Sequence, residues 1–233
     1  SSAAGIVNLE GGTLTLSSSE RLSDLADLTL MSGTTLTLNG DETVASVSLA
    51  GTVNGTGSLR ASEVTLNGAV VNANLGGGLL RAIGINLLNG QSAATEVDVI
   101  SGTLTLGSAG RFTALPTVTV QDPASLRLGG AETFSALAGG GVVDLQSHTL
   151  TSVSTADTRF SGVMTGSGGL VKSGPGTFTL AGDNTYTGTT RIEGGTLAVS
   201  GTLLSGELLV NAGTLALGGS DRLSDTATVA VAG

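Results

Sequence analysis

GTLTLSSSERLSDLADLTL, residues 12–30, is the stretch on which the reading of the fold turns. Moved on by 90 positions it meets GTLTLGSAGRFTALPTVTV at 102–120, and by 201 it meets GTLALGGSDRLSDTATVAV at 213–231. The three copies align without a gap. Each holds a GTL strand, four small or polar residues, an arginine (Arg21, Arg111 or Arg222) and a second alternating strand. The first two stay in register further, with Glu42-Thr43 matching Glu132-Thr133. Self-similarity of this kind marks an architecture built by stacking one unit on the next.

A shorter beat runs inside the long one. Strand-opening glycines stand at Gly12, Gly33, Gly51 and Gly68, spaced 21, 18 and 17 apart, and at Gly176, Gly195 and Gly213, spaced 19 and 18 apart. Alternations such as TLTL, TFTL and TLAV follow them, sending one set of side chains inward and the other outward. Asn39-Gly40, Asn67-Gly68 and Asn89-Gly90 are expected to supply positive φ at tight corners. Thr, Val and Gly fill the places a helix would give to helix formers, and no apolar stripe of helical period appears. ERLSDLADL (20–28) could make one helical turn, but its counterpart GRFTALPTV contains Pro116, so an extended corner is expected in both. A sandwich would want an aromatic core and strands of varied spacing. The pattern therefore predicts an all-β fold, a parallel β-solenoid (β-helix) of roughly 17–21 residues per rung. Residues 1–233 are read as one elongated unit. At ~4.8 Å per rung, about 12 rungs make a rod on the order of 55 Å long. Its open ends would be strand edges able to pair.

Composition agrees with that reading. Aromatics are 2% and Trp is absent, so the apolar mass is Leu, Val and Ala, which suits thin stacked layers. The 38 glycines would suggest disorder, but only 12% of residues are charged and β-formers abound. Nine basic residues stand against 18 acidic ones, for a net charge of −9. Lys172 is the sole lysine and the arginines are scattered, so no nucleic-acid or anionic-membrane partner is expected. No apolar run approaches the roughly 20 residues that span a bilayer. The absence of cysteine rules out disulfides, thiol catalysis and Cys-type zinc sites. The chain opens at Ser1 without Met and closes in the strand-like VAVAG, so a fragment of a larger protein is expected.

From Gly168, GGLVKSGPGTFTLAGDNTYTGTTRIEGGTLAVSG closely resembles the passenger-associated transport repeat of bacterial autotransporters, also called the autotransporter-associated β-strand repeat. The residues that carry the resemblance over 168–201 are Gly169, Leu170, Lys172, Gly174, Gly176 and Thr177. Leu180, Gly182, Asn184, Thr185, Tyr186, Thr187 and Gly188 follow, and Gly195, Thr196 and Leu197 close the motif. The resemblance implies a right-handed parallel β-helix, exported across the outer membrane of a Gram-negative bacterium by type V secretion and held at the cell surface or released. It also implies a C-terminal translocator barrel in the parent as partner, and a repeat that aids passenger folding and transport. No barrel-type membrane strands with aromatic girdles occur in these residues. The expected role is a stalk or adhesin meeting a host or bacterial surface component, or a second copy, in virulence or biofilm formation. The alternative is a carbohydrate-active β-helix, or the scaffold of a protease or toxin whose active domain lies elsewhere.

No catalytic, cofactor or metal site is expected in this segment. In VVDLQSHTL, Asp144, Gln146 and the sole histidine, His148, share one strand parity opposite Val143 and Leu145. The trio is therefore read as a solvent-facing row rather than a catalytic pair, with Ser147 on the wrong parity and no G-x-S-x-G elbow anywhere. The acid pairs Asp24 with Asp27, Asp41 with Glu42 and Asp221 with Asp225 are read as solvated corners rather than paired catalytic carboxylates or calcium ligands. Arg21, Arg111 and Arg222, preceded by Glu20, Gly110 and Asp221, are expected to bond backbone carbonyls at a corner. Tyr186 is expected to pack over a turn, and Phe160 and Phe178 in the core.

Overall fold

The computed structural model describes residues 5–232, leaving Ser1–Ala4 and Gly233 outside the described part of the unit. The described residues form an all-β parallel solenoid of about 13 turns, with no helix. At ~4.8 Å per turn the stack is about 60 Å long. Each strand pairs in parallel with its equivalent one turn away, the offset running from 16 residues (Glu63 to Leu79) to 22 (Thr13 to Thr35). That widens the 17–21 read from the sequence by a single residue at each end.

Three faces wrap the core. The first runs from Ile6–Leu9 through Asp27–Leu30, Ser46–Leu49 and Glu63–Asn67, and ends at Thr158–Phe160, Thr177–Leu180, Thr196–Val199 and Thr214–Leu217. The second runs from Thr13–Leu16 through Thr35–Leu38 to Ser125–Leu128, Val142–Asp144 and Val163–Thr165. The third is regular from Glu132–Phe134 through Leu150–Ser152, Leu170–Lys172 and Thr190–Ile192 to Thr228–Val231. Alternation puts the aliphatics in register along the axis. Leu30, Leu49 and Leu66 make one inward ladder, and Leu36, Val53, Val71, Leu88, Leu106 and Leu128 another. These side chains are buried, and burying each is worth roughly 2 kcal/mol.

The filling is uneven along the rod. All five aromatics, Phe112, Phe134, Phe160, Phe178 and Tyr186, are buried and lie between residues 112 and 186. Phe112 and Phe134 meet edge to face with centroids 6.0 Å apart. Phe160 and Phe178 are core residues, as expected. The turns before Phe112 hold only aliphatic side chains in their apolar core.

The corners follow the long repeat. The residue before each repeated arginine adopts a left-handed backbone, φ 51° at Glu20, 62° at Gly110 and 55° at Asp221. The 20–28 segment is extended with a turn, as the Pro116 copy implied. Arg111 bonds the Ala109 and Asn89 carbonyls, as expected, whereas Arg21 donates from Nε to the Ser18 hydroxyl at 2.6 Å. Of the three Asn-Gly corners only Gly68 has the expected positive φ, 82°. Gly40 and Gly90 are required for another reason: a Cβ there would overlap the backbone of Ser19 or the carbonyl of Ala73 in the turn beneath. The narrow axial rise leaves no room for a side chain where a corner folds over its neighbour.

The two demands on glycine separate experimentally. A Cβ at Gly110 would meet nothing within 4 Å, so Gly110→Ala tests backbone strain alone and is expected to cost about 1 kcal/mol. At Gly182 a Cβ would overlap the Gly162 carbonyl, so Gly182→Ala is expected to cost roughly 3 kcal/mol. Urea denaturation of the two variants, side by side, checks the difference.

Candidate functional site: buried polar staples at the corners

A parallel ladder satisfies backbone groups within strands but leaves some unpaired where the chain turns a corner. Here inward-facing polar side chains complete them. The Glu42 carboxylate, fully buried, accepts the N–H of Arg21 at 3.0 Å and the N–H of Leu22, in the turn beneath. Its repeat partner Glu132 does the same for Arg111, at 2.6 Å, and Phe112. Burial pushes the Glu132 carboxyl above the ordinary glutamate range, against the two N–H bonds that favour its charge. Asn86, also buried, accepts from Gly68 and Ala69 at 2.9 Å each and donates to the Ile83 and Gly84 carbonyls.

These contacts correct one reading of the acids. Glu42 is not solvated, because inward parity on the third face carries it into the core, where it pairs in register with Leu59. Its neighbour Asp41 accepts the Ser58 N–H at 2.9 Å and pairs with Arg60 at 3.2 Å, and these bonds hold its carboxyl below the usual aspartate range. Asp27 accepts the Ser46 hydroxyl, while Asp24, Asp221 and Asp225 lie on the surface. Among the described residues no three Asp, Glu or His side chains stand close enough to share a metal ion.

The staples are densest over 170–199. Lys172 sits in the inward row of Phe134, Ser152 and Ile192 and is fully buried. Its Nζ donates to the carbonyls of Ser173 (2.9 Å), Gly174 (2.8 Å) and Gly194 (3.2 Å). The ammonium has three N–H donors, and each is used on a corner oxygen that the ladder does not reach. Burial lowers the Lys172 pKa from the ordinary lysine value. Asn184 links three turns: its Oδ1 accepts the Met164 N–H at 3.0 Å, and its Nδ2 donates to the Gly182 and Thr202 carbonyls. Tyr186 is fully buried, its hydroxyl 2.7 Å from that of Thr190. It fills the interior rather than covering a turn, because the corner at Asn184–Gly188 folds inward. Burial raises the Tyr186 phenol far above its ordinary value.

The other motif residues fall into three sets. Leu170, Leu180 and Leu197 are core residues. Gly169, Gly174, Gly176, Gly182, Gly188 and Gly195 lie where a Cβ would crowd a carbonyl in an adjacent turn. Thr177 and Thr196 stack as register partners on the first face, and Thr185 and Thr187 are exposed. The burial of Lys172 was readable from its parity with Leu170. Asn184 shares its buried parity with Tyr186, Thr185 and Thr187 being exposed, but as an amide it carries no apolar signal in the sequence.

The 144–148 segment departs from its strand reading. The strand ends at Asp144, and Gln146 adopts φ 53°, making a turn closed by the His148 N–H to the Leu145 carbonyl at 2.8 Å. Alternation therefore stops before Ser147 and His148, and strand parity does not govern where they face. Asp144 is engaged by Gln146, whose N–H lies 3.0 Å from Oδ1, and by Arg127 at 3.7 Å rather than by His148.

Residues 170–199 match the passenger-associated transport repeat. Two curated relatives, both extracellular serine proteases of Serratia marcescens, are 46% identical over 52 residues and 45% identical over 51. Each match covers 22% of this chain and 5% of the relative, so the chain spans about one-twentieth of their length. No solved structure matches. The chain thus carries an autotransporter passenger repeat, set into a parallel β-solenoid.

Proposed function

We propose that the chain is an exported segment of an autotransporter passenger, placed at the cell surface or released, and that it serves as a stalk or adhesive shaft without catalysis of its own. Export would run through a C-terminal translocator barrel of the parent, and this segment would not insert in the membrane. The observation that carries the reading is the joining of a transport repeat to the most heavily stapled part of a solenoid. In such a stack each turn adds to a finished neighbour without long loop closure. A stable seed at 170–199 would give emerging turns a surface to add to, and stacking outside the cell would oppose return. The long Thr-bearing faces would supply contacts with a host or bacterial surface component, or with a second copy.

A second reading follows from the names of the relatives. The solenoid would scaffold a protease whose catalytic domain lies outside these residues, with the same part in export. Deletion of 168–200 from the parent distinguishes a seed from a mere spacer. Surface yield is expected to fall well below that of a parent lacking two turns of equal length from the N-terminal half. Equal losses would remove the seeding role.

A further inference from the structure

A groove opens beside the second face around residues 146–148. The outward row of that face runs Thr105, Arg127, Asp144, Thr165 in register. Beside it Gly129 and Gly166 lie on the lining without side chains of their own, packed tightly against the Leu106 carbonyl and the Gln146 backbone of the turn beneath. The left-handed turn at Gln146 raises one wall between them. The result is an open groove of about 560 Å³ lined by Thr105, Arg127, Gln146, Ser147, His148 and Ser167, within the size range of ligand sites.

Its chemistry is selective. No Phe, Tyr or Trp ring and one aliphatic side chain, Leu128, line it, so it offers no broad stacking platform and no apolar pocket. It offers hydroxyls, an amide, a guanidinium and the imidazole of His148, which forms no side-chain hydrogen bond among the described residues. Arg127 is half exposed, with Nη2 donating to Gln146 Oε1 at 3.0 Å and Nε 3.7 Å from Asp144, while Nη1 makes no hydrogen bond among the described residues. Asp144, the adjacent acid, is turned to Gln146 and Arg127 and does not line the groove. A net charge of −9 disfavours a polyanion, so the ligand that fits is short, rich in hydroxyls and singly charged.

We propose that this groove binds an oligosaccharide bearing one carboxylate, with Arg127 taking the carboxylate and Gln146, Ser147, His148 and Ser167 the sugar hydroxyls. This gives a ligand class to the adhesive reading above and rests on it for its biological setting. Soluble sugars and purified chain test it separately, so its failure leaves attachment through the flat faces untouched.

His148 is the sole histidine, so its ring protons report on the groove alone in a proton NMR titration of the untagged chain. Sialyllactose is expected to shift them saturably, and lactose or acetate at the same concentrations to bind at least about tenfold more weakly, since both halves of the ligand are needed. Arg127→Ala and Arg127→Gln are each expected to weaken sialyllactose about tenfold while leaving the fold intact, because an exposed ion pair contributes at most about 1 kcal/mol. No saturable shift with sialyllactose overturns the proposal. So does equal binding of lactose or of acetate, or undiminished binding by both Arg127 variants with native circular dichroism.

Discussion

Lys172→Met is expected to lower the stability of the chain by roughly 3 kcal/mol, although methionine nearly matches the lysine stem in shape and is the more apolar residue. The loss comes from the three carbonyl oxygens of Ser173, Gly174 and Gly194, which Nζ alone bonds. Each buried acceptor left without a donor costs about 1 kcal/mol or more. Lys172→Arg is not expected to rescue, because a planar guanidinium is bulkier than the ammonium in this fully buried site and cannot aim its fork at three converging carbonyls. The pH dependence has a definite sign. Burial sets the folded pKa below the ordinary lysine value of 10.5, so the folded state sheds the proton first. Stability of the wild type relative to Lys172→Met therefore rises between the depressed folded value and 10.5. The three carbonyl bonds, which favour the ammonium, keep that gain small. Urea denaturation at neutral and alkaline pH measures both effects. A methionine variant as stable as the wild type would show that the corner carbonyls find other donors.

Tyr186→Ala is expected to have a comparable or larger effect, about 3–5 kcal/mol, since it empties a fully enclosed aromatic site. Tyr186→Phe keeps the ring and loses only the bond to Thr190, for an expected cost of about 1 kcal/mol. The pair separates volume from hydrogen bonding at one position. Far-UV circular dichroism is the suitable readout, because the chain has no tryptophan and these variants remove its sole tyrosine. Equal, small losses in both variants would mean that Tyr186 is not part of the packed interior.

The fold was largely legible because it is written in two periods that reinforce each other. The GTL runs give strand parity, their recurrence after 17–21 residues gives the turn, and the stacked inward row of Leu30, Leu49 and Leu66 follows both periods. The staples were less legible because polarity ordinarily argues for solvent. Glu42 and Glu132 stand at one repeat position, a recurrence that periodicity could detect. It did not reveal that the carboxylate serves two backbone N–H groups in the turn below. The groove was missed for a different reason. Strand alternation was carried across Asp144 to His148, whereas Gln146 turns the chain and brings Arg127, Ser147 and His148 onto one lining. Alternation says where a side chain points only while the backbone stays extended.

The five aromatics and the densest staples occupy the same stretch of the rod, from Phe112 to residue 199, and the turns before it are aliphatic. In a linear stack stability is set locally by each turn and its neighbours. Residues 170–199 should therefore act as the seed from which the rest of the solenoid is held. Native-state amide hydrogen exchange on the intact chain tests this most directly. The amides of Met164, Tyr186 and Ile192 are expected to exchange roughly tenfold or more slowly than those of Val47, Val64 and Leu80. Even protection along the rod, or slower exchange in the aliphatic turns, would contradict a seed at 170–199.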